Sequence, residues 1–260
     1  MAENLKQRKF ADTNKKVSVL GLGTVKFGRN QGVKYPGGEG FKLPTDEEIS
    51  SIIDLCIDKG VNLLDTAPAY GTSEERLGKI LGARRKEFFL VTKVGEEFKK
   101  GESEYIFTAG HTRMSVERSL KLLNTDYLDC VMLHSSRDDV NVINNTGVIE
   151  ELNKLKAEGK ILSTGVSTYT VEGGKLAVDL CDAAMVAYNK DYQQEKEVID
   201  YARTKNKAIL VKKGFASGHA ANIEENIKFI LETEGVTSLI FGSITPSNII
   251  SNINAALKIG

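Results

Sequence analysis

The chain has 260 residues, 41% of them hydrophobic and 27% charged, the make-up of a soluble globular protein with a sizeable core. Its 35 basic and 35 acidic residues cancel, which removes any general electrostatic reason to expect nucleic acid or an anionic membrane as a partner. Cys56, Cys130 and Cys181 lie too far apart for a zinc site or a disulfide framework, residues 1–9 lack an apolar signal core, and no apolar run is long enough to cross a bilayer, so a reducing cytoplasm is the expected location.

The first segments read as a hairpin, with 5–11 and 16–20 flanking the turn triplet Asp12-Thr13-Asn14. "VLGLGT" (19–24) reads as a strand leading into a glycine-rich loop, 28–44, too irregular for a plain connector. Thr45 with Glu48 forms a capping box ahead of a helix whose inner face carries Ile49, Ile52, Ile53 and Cys56. A strand (61–65), a helix from about 73 and the strand "FFLVTK" (88–93) follow. A second irregular segment, 95–110, precedes a helix with Val116, Leu120 and Leu123 on one face. Next come the strand "YLDCVMLH" (127–134), a helix over 148–159 closed by Gly159, and the strand "ILSTGVS" (161–167). The remaining pairs are a helix near 171–181 with the strand 183–188, a helix over 195–206 with the strand 208–213, and a helix around 223–231 with the strand 238–243. Pro246 opens a last helix.

Strict alternation implies parallel strands. Eight such repeats match a (β/α)8 TIM-type barrel with an N-terminal β-hairpin better than an open doubly wound sheet, and nothing in the composition divides residues 1–260 into more than one domain.

Barrel enzymes carry their chemistry at the C-terminal ends of the strands. Asp65 ends the second strand, with Tyr70 just beyond it; Lys93 ends the third and His134 the fourth. Each has a structural explanation when taken alone: a turn cap, a packing tyrosine, a snorkelling lysine, a core histidine. Their coincidence at one rim is hard to explain by packing. A phenol has a reference pKa of about 10, and a nearby cation lowers it. Lys93 can supply that cation, Asp65 can hold Lys93 charged, and His134 can orient a substrate oxygen beside Tyr70. The set suits protonation of a developing alkoxide but supplies no reductant.

On these residues the sequence resembles the aldo-keto reductase superfamily. The segment "NLLDTAPAYGTSEERLGKIL" (62–81) carries the most diagnostic similarity. "GLGTVKFG" (21–28), "FFLVTKVG" (88–95), "SLKLLNTDYLDCVMLHS" (119–135), "LNKLKAEGKILSTGVST" (152–168) and "VTSLIFGSITPSNIISNI" (236–253) follow in the family's order. The resemblance implies reversible reduction of an aldehyde or ketone, a small-molecule carbonyl substrate, and a nicotinamide cofactor bound without a Rossmann domain. In that reading Tyr70 is the general acid and base, Lys93 and Asp65 tune it, and His134 positions the carbonyl.

The resemblance also assigns cofactor positions. Gly23 and Thr24 correspond to contacts near the nicotinamide ribose. Ser167 corresponds to the serine of an amide-binding pair, with Thr168 replacing the usual asparagine and Met185 replacing a glutamine. Lys212 stands where many members stack an aromatic, and an ammonium there suits the pyrophosphate instead. Ser243 and the helix start in "GSITPSNI" suit an anionic diphosphate, and Asn252 corresponds to an adenine contact. Asn248 replaces the base usually aimed at the ribose 2′-phosphate, which weakens the case for strict NADP preference; NADP is still expected over NAD, on family habit alone. No metal is expected. The chain ends at Gly260, just after the last helix, so the C-terminal loop of many members is expected to be absent. The pocket walls are then expected from 28–44 and 95–110, with Phe27, Tyr35, Phe41, Phe98 and Phe107 as aromatic candidates. Two other functions fit the sequence: a cofactor-binding regulatory or adaptor module with little turnover, suggested by the altered amide site, and a Schiff-base lyase using Lys93 or Lys212.

Overall fold

Alternate residues of each central strand belong to two separate apolar populations. Leu63, Val91, Met132, Met185 and Leu210 form one cluster, and Leu22, Leu64, Leu90, Val131, Val166, Ile209 and Leu239 form part of another. A strand points successive side chains to opposite faces, so a sheet apolar on both faces must be covered on both. A closed barrel does this by filling its own interior and laying helices around its outside.

The computed structural model describes residues 4–33 and 41–259. A short antiparallel hairpin, β1 (Gln7–Lys9) and β2 (Lys16–Ser18), comes first. The chain then runs through β3 (Leu20–Gly23), α1 (Val25–Gly28), α2 (Asp46–Asp58), β4 (Leu63–Asp65), α3 (Ser73–Leu81), β5 (Phe89–Val94), β6 (Glu96–Lys99), β7 (Glu102–Tyr105), α4 (Ala109–Leu122) and β8 (Cys130–His134). It continues with α5 (Asp139–Asn145), α6 (Val148–Ala157), β9 (Thr164–Ser167), α7 (Val171–Leu180), β10 (Ala183–Ala187), α8 (Lys196–Thr204), β11 (Ala208–Lys212), α9 (Ile223–Glu232), β12 (Ser238–Phe241) and α10 (Pro246–Leu257). The strands β3-β4-β5-β8-β9-β10-β11-β12 form a closed parallel barrel, with β12 pairing back onto β3. This is the expected fold, hairpin included.

Local chemistry sets the element boundaries. The Thr45 hydroxyl accepts from the Glu48 amide, and the Glu48 carboxylate accepts from the Thr45 amide, so the capping box forms as read. Thr108, Thr170 and Asn222 cap α4, α7 and α9 one way only, each side chain accepting from the amide three residues on. Gly21 is required by the tight barrel interior: a Cβ there would lie 2.6 Å from Leu63 Cδ2 and 2.7 Å from Ile240 Cδ1. Phe10, just past β1, enters the inner cluster and packs on Phe89 with ring centroids 4.5 Å apart.

Two expectations are corrected. Residues 96–105, read as irregular, form the antiparallel hairpin β6–β7, turned through Lys100 and Gly101 at φ of 52° and 85°. Its strands, EEFK and ESEY, are largely polar, so no apolar alternation announced them. Helix α5 also went unread, because its sequence is dominated by Asp and Asn. Among the described residues no helix is long and apolar enough to cross a membrane.

Candidate active site

The polar rim is the last layer of the barrel's inward-facing alternation. Leu63 faces the interior, and two residues on stands Asp65. Val91 leads likewise to Lys93, Met132 to His134, and Leu210 to Lys212. The strand register places Met132 beside Lys93, and Ser167 beside both His134 and Met185. Apolar layers thus form a floor, and acid, amine, imidazole and hydroxyl groups stand at the mouth.

Lys93 is the centre of the first group. Its ammonium, with the side chain 2% exposed, donates to Asp65 Oδ1 at 2.6 Å, to the Thr66 carbonyl at 2.9 Å and to the Tyr70 hydroxyl oxygen at 3.1 Å. All three ammonium protons are therefore committed. The Tyr70 hydroxyl donates to Asp65 Oδ2 at 3.4 Å. Tyr70 ends a 3-10 turn that starts at Pro68, and Gly71 follows at a φ of 63°. Burying a charge is costly unless it is paired and hydrogen-bonded; here Asp65 and the Thr66 carbonyl provide the pairing and leave the cation on the phenol.

His134 lines the same cavity, but its close contact is one that the sequence did not reveal. Its Nδ1 lies 2.7 Å from Glu96 Oε2, on β6. The other oxygen, Glu96 Oε1, accepts from the Ser103 hydroxyl at 2.6 Å and lies 3.8 Å from Arg29 Nη1. Arg29 in turn lies 3.6 Å above the Phe98 ring. Burial raises the Glu96 carboxyl, but His134, Ser103 and Arg29 outweigh it and hold it at about 2. Burial lowers His134 below the ordinary imidazole value, and the Glu96 contact only partly opposes this.

A second lysine occupies the expected amide-binding pair. Lys212 Nζ donates to Ser167 Oγ at 2.9 Å and to the Thr168 carbonyl at 2.7 Å, and lies 4.6 Å from the Tyr169 ring centroid. The Thr168 hydroxyl is buried and donates to Glu195 at 3.3 Å, so it faces away from the cavity. Thr24 is likewise fully buried, its hydroxyl donating to the Asp65 carbonyl at 3.0 Å and lying 2.8 Å from Ser73 Oγ. These two threonines support the walls and do not line the cavity. Burial pulls Lys212 down to about 8, with Glu195 opposing, and raises Glu195 above the ordinary carboxylate value.

The cavity at this mouth measures about 710 Å³. Gly23, Asp65, Tyr70, Lys93, Glu96, His134, Ser167, Met185 and Lys212 line it together with Ser243, just before α10, and Asn248 and Asn252 on α10. The aromatic wall expected from the loops is not what forms. Phe27 is buried in the outer core, Phe98 lies under Arg29, and Phe107 packs near Gly95 and Tyr105. Phe41 lies near Lys26, and Tyr35 is outside the described residues. Among the described residues Phe215 and Phe241 line the cavity besides Tyr70, and so does Tyr169. Its only sequence signal was its place directly after the rim strand β9.

With the rim geometry established, comparison with known proteins identifies the lineage. The Aldo/keto reductase family profile matches residues 19–227. The chain belongs to the aldo/keto reductase family. It is 43% identical to a crystallised Pseudomonas aeruginosa protein assigned as an aldo-keto reductase, with a TM-score of 0.90 over 97% of this chain and 95% of that one. It is 33% identical to aldo-keto reductase YhdN of Bacillus subtilis over 75% of this chain and 57% of that protein. It is also 36% identical to D-arabinose 1-dehydrogenase of Saccharomyces cerevisiae over 50% of this chain and 39% of that protein. The matched regions thus cover about four-tenths to six-tenths of these two curated relatives. A Bacillus halodurans aldo-keto reductase in its holo form, 22% identical with a TM-score of 0.81, shares the fold.

Proposed function

We propose that this aldo/keto reductase catalyses reversible, nicotinamide-dependent reduction of an aldehyde or ketone, with Tyr70 as the general acid in reduction and the general base in oxidation. The observation that carries this reading is the 3.1 Å contact between the Lys93 ammonium and the Tyr70 hydroxyl. A cation at that distance favours the phenolate, so the phenol gives up its proton more readily to an alkoxide forming above it. Asp65 keeps the cation in place, and the barrel floor excludes water from below.

The residues fit a dinucleotide. Lys212 and Lys213 line the cavity beside the α10 N-terminus, where backbone N–H groups, the helix dipole and Ser243 favour a diphosphate. When bound, the nicotinamide supplies hydride. Ser167, held by Lys212, and Met185 would flank its ring, and Asn248 and Asn252 its adenosine end. Lys212 takes the place of the expected amide-binding pair, so contact with the carboxamide or the pyrophosphate would run through its ammonium. NADP is proposed as the cofactor over NAD.

One observation favours the regulatory alternative: Lys212 already engages Ser167 and Thr168. Titration with NADPH and NADH, followed by an absorbance screen against aldehydes, ketones and quinones, separates the readings. Oxidation of the cofactor by a carbonyl compound supports the reductase. Tight binding with no turnover across the panel supports the regulatory module.

A further inference from the structure

Resting on the nicotinamide cofactor of the reductase reading, we infer that the Lys212 ammonium makes this site select the redox state of its cofactor, holding the neutral reduced ring and repelling the cationic oxidised one.

The two inward lysines of the mouth are neutralised differently. Lys93 has Asp65 Oδ1 at 2.6 Å. Lys212 has neutral partners: the Ser167 hydroxyl at 2.9 Å, the Thr168 carbonyl at 2.7 Å and the Tyr169 ring, its centroid 4.6 Å away. Among the described residues no carboxylate forms an ion pair with it. The acids behind it are engaged elsewhere. Glu195 accepts from the Ala187 amide and the Thr168 hydroxyl. Asp139 accepts from the Tyr169 and Thr170 amides. Both attract the ammonium from a distance, and Lys213 and Lys93 act against them. Glu96 and Glu224, which also line the cavity, lie against His134 and Lys258. With a value of about 8, Lys212 is predominantly charged below about pH 7.

The chemistry brings the nicotinamide ring to this cation. Tyr70 protonates a carbonyl oxygen at the mouth, so the ring that gives hydride to the adjoining carbon must lie at the mouth too. Strand register joins Ser167 to Met185, and Lys212 to Ala187 two residues further along the same strand, so one side of the mouth is built from these residues. The reduced ring is uncharged and the oxidised ring carries one positive charge, while the diphosphate and sugars are identical in both. A like charge a few ångströms from an ammonium is repelled strongly where water is largely displaced. Lys212 therefore acts on the difference between the two forms. Oxidation weakens the cofactor's hold on the site, which favours exchange for a reduced molecule.

Calorimetric titration at about pH 6.5, where the lysine is charged, measures Kd for NADPH and NADP⁺ without turnover. NADH and NAD⁺ are titrated in parallel, and the ratio is read on whichever pair binds. The wild-type protein should bind the reduced form about tenfold or more tighter than the oxidised form. Lys212→Met should bring the two values within about threefold of each other, chiefly by strengthening the oxidised form. Lys212→Arg keeps the charge and should keep most of the ratio. 2′-Phospho-ADP-ribose, which lacks the ring, should bind the wild type and Lys212→Met alike. Circular dichroism confirms that each variant is folded. Equal Kd values for the two redox forms in the wild type overturn the inference and leave the cofactor reading standing. So does an unchanged ratio in Lys212→Met with all ligands weakened in proportion, which would put the ammonium on the diphosphate. Binding of none of the four dinucleotides sinks the cofactor reading and this inference with it.

Discussion

Lys93 and Tyr70 come from different elements, a barrel strand and the turn after its neighbour, yet the ammonium lies 3.1 Å from the phenol oxygen. Asp65 closes the group, accepting from Lys93 at 2.6 Å and from the Tyr70 hydroxyl at 3.4 Å.

Replacing Tyr70 by Phe should reduce carbonyl turnover by about 10²–10⁴-fold, the usual contribution of a positioned acid. Cofactor binding should survive, because the substitution keeps the aromatic ring and removes only the hydroxyl that meets Lys93 and Asp65. Steady-state kinetics and a fluorescence titration of NADPH check the two halves. A variant with normal turnover would remove Tyr70 from the chemistry.

Lys93→Met should cost about 3–5 kcal/mol of stability, because it leaves the Asp65 charge buried without its cation. Adding Asp65→Asn should recover part of that loss, since the two side chains form one unit. Denaturant unfolding of the two single variants and the double variant measures the coupling. Additive effects would contradict the geometry.

Lys212 provides a pH signature. Its folded value is about 8 against the ordinary 10.5. Between these values the unfolded chain holds more protons than the folded one, so stability contributed by this residue rises with pH across that window. Below about pH 8 the lysine is charged in both states and the contribution is constant. Lys212→Met should flatten this part of the stability profile, as read by thermal unfolding from pH 7.5 to about 10.5.

Gly28→Ala should damage both stability and activity. A Cβ there would overlap the Tyr70 carbonyl and the Ser73 amide, and would lie 2.6 Å from the Thr72 amide, all of them backbone atoms of the turn that carries the phenol. Overpacking of this kind costs about 1–3 kcal/mol. Gly110→Ala, with open space around its Cβ, is the control and should change neither by much. Circular dichroism melts and kcat compare the pair.

The three thiols should be inert in the folded protein. Burial pushes Cys56 up to about 12 and Cys181 to about 11, and raises Cys130 further still. Thiolate is the reactive form. A thiol-reactive chromophore at pH 8 should therefore label them no faster than the protein unfolds.

Some of the site was legible because it interrupts a pattern. Asp65, Lys93 and His134 each end an apolar run, and inward alternation carries them to one rim. Glu96 had no such marker. It lies in the charged stretch "GEEFKKGESEY", which reads as solvated. It is buried only because β6 and β7 pair, which brings Ser103 onto its carboxylate, and Arg29 approaches it from the segment after β3. Glu195 was hidden similarly in "DYQQEKE" and becomes buried against Thr168 and the Ala187 amide. Thr24 and Thr168 were legible as residues next to the rim, but their hydroxyls turn toward the walls.

The order of strands and helices, the closed parallel barrel and the residue types at its mouth follow from local periodicity and chain order, which act between near neighbours in sequence. Which acid meets the imidazole, which lysine meets Ser167 and which hydroxyls face inward depend on contacts between segments tens of residues apart. Those contacts form between polar groups whose burial no local pattern encodes, so only the folded barrel could decide them.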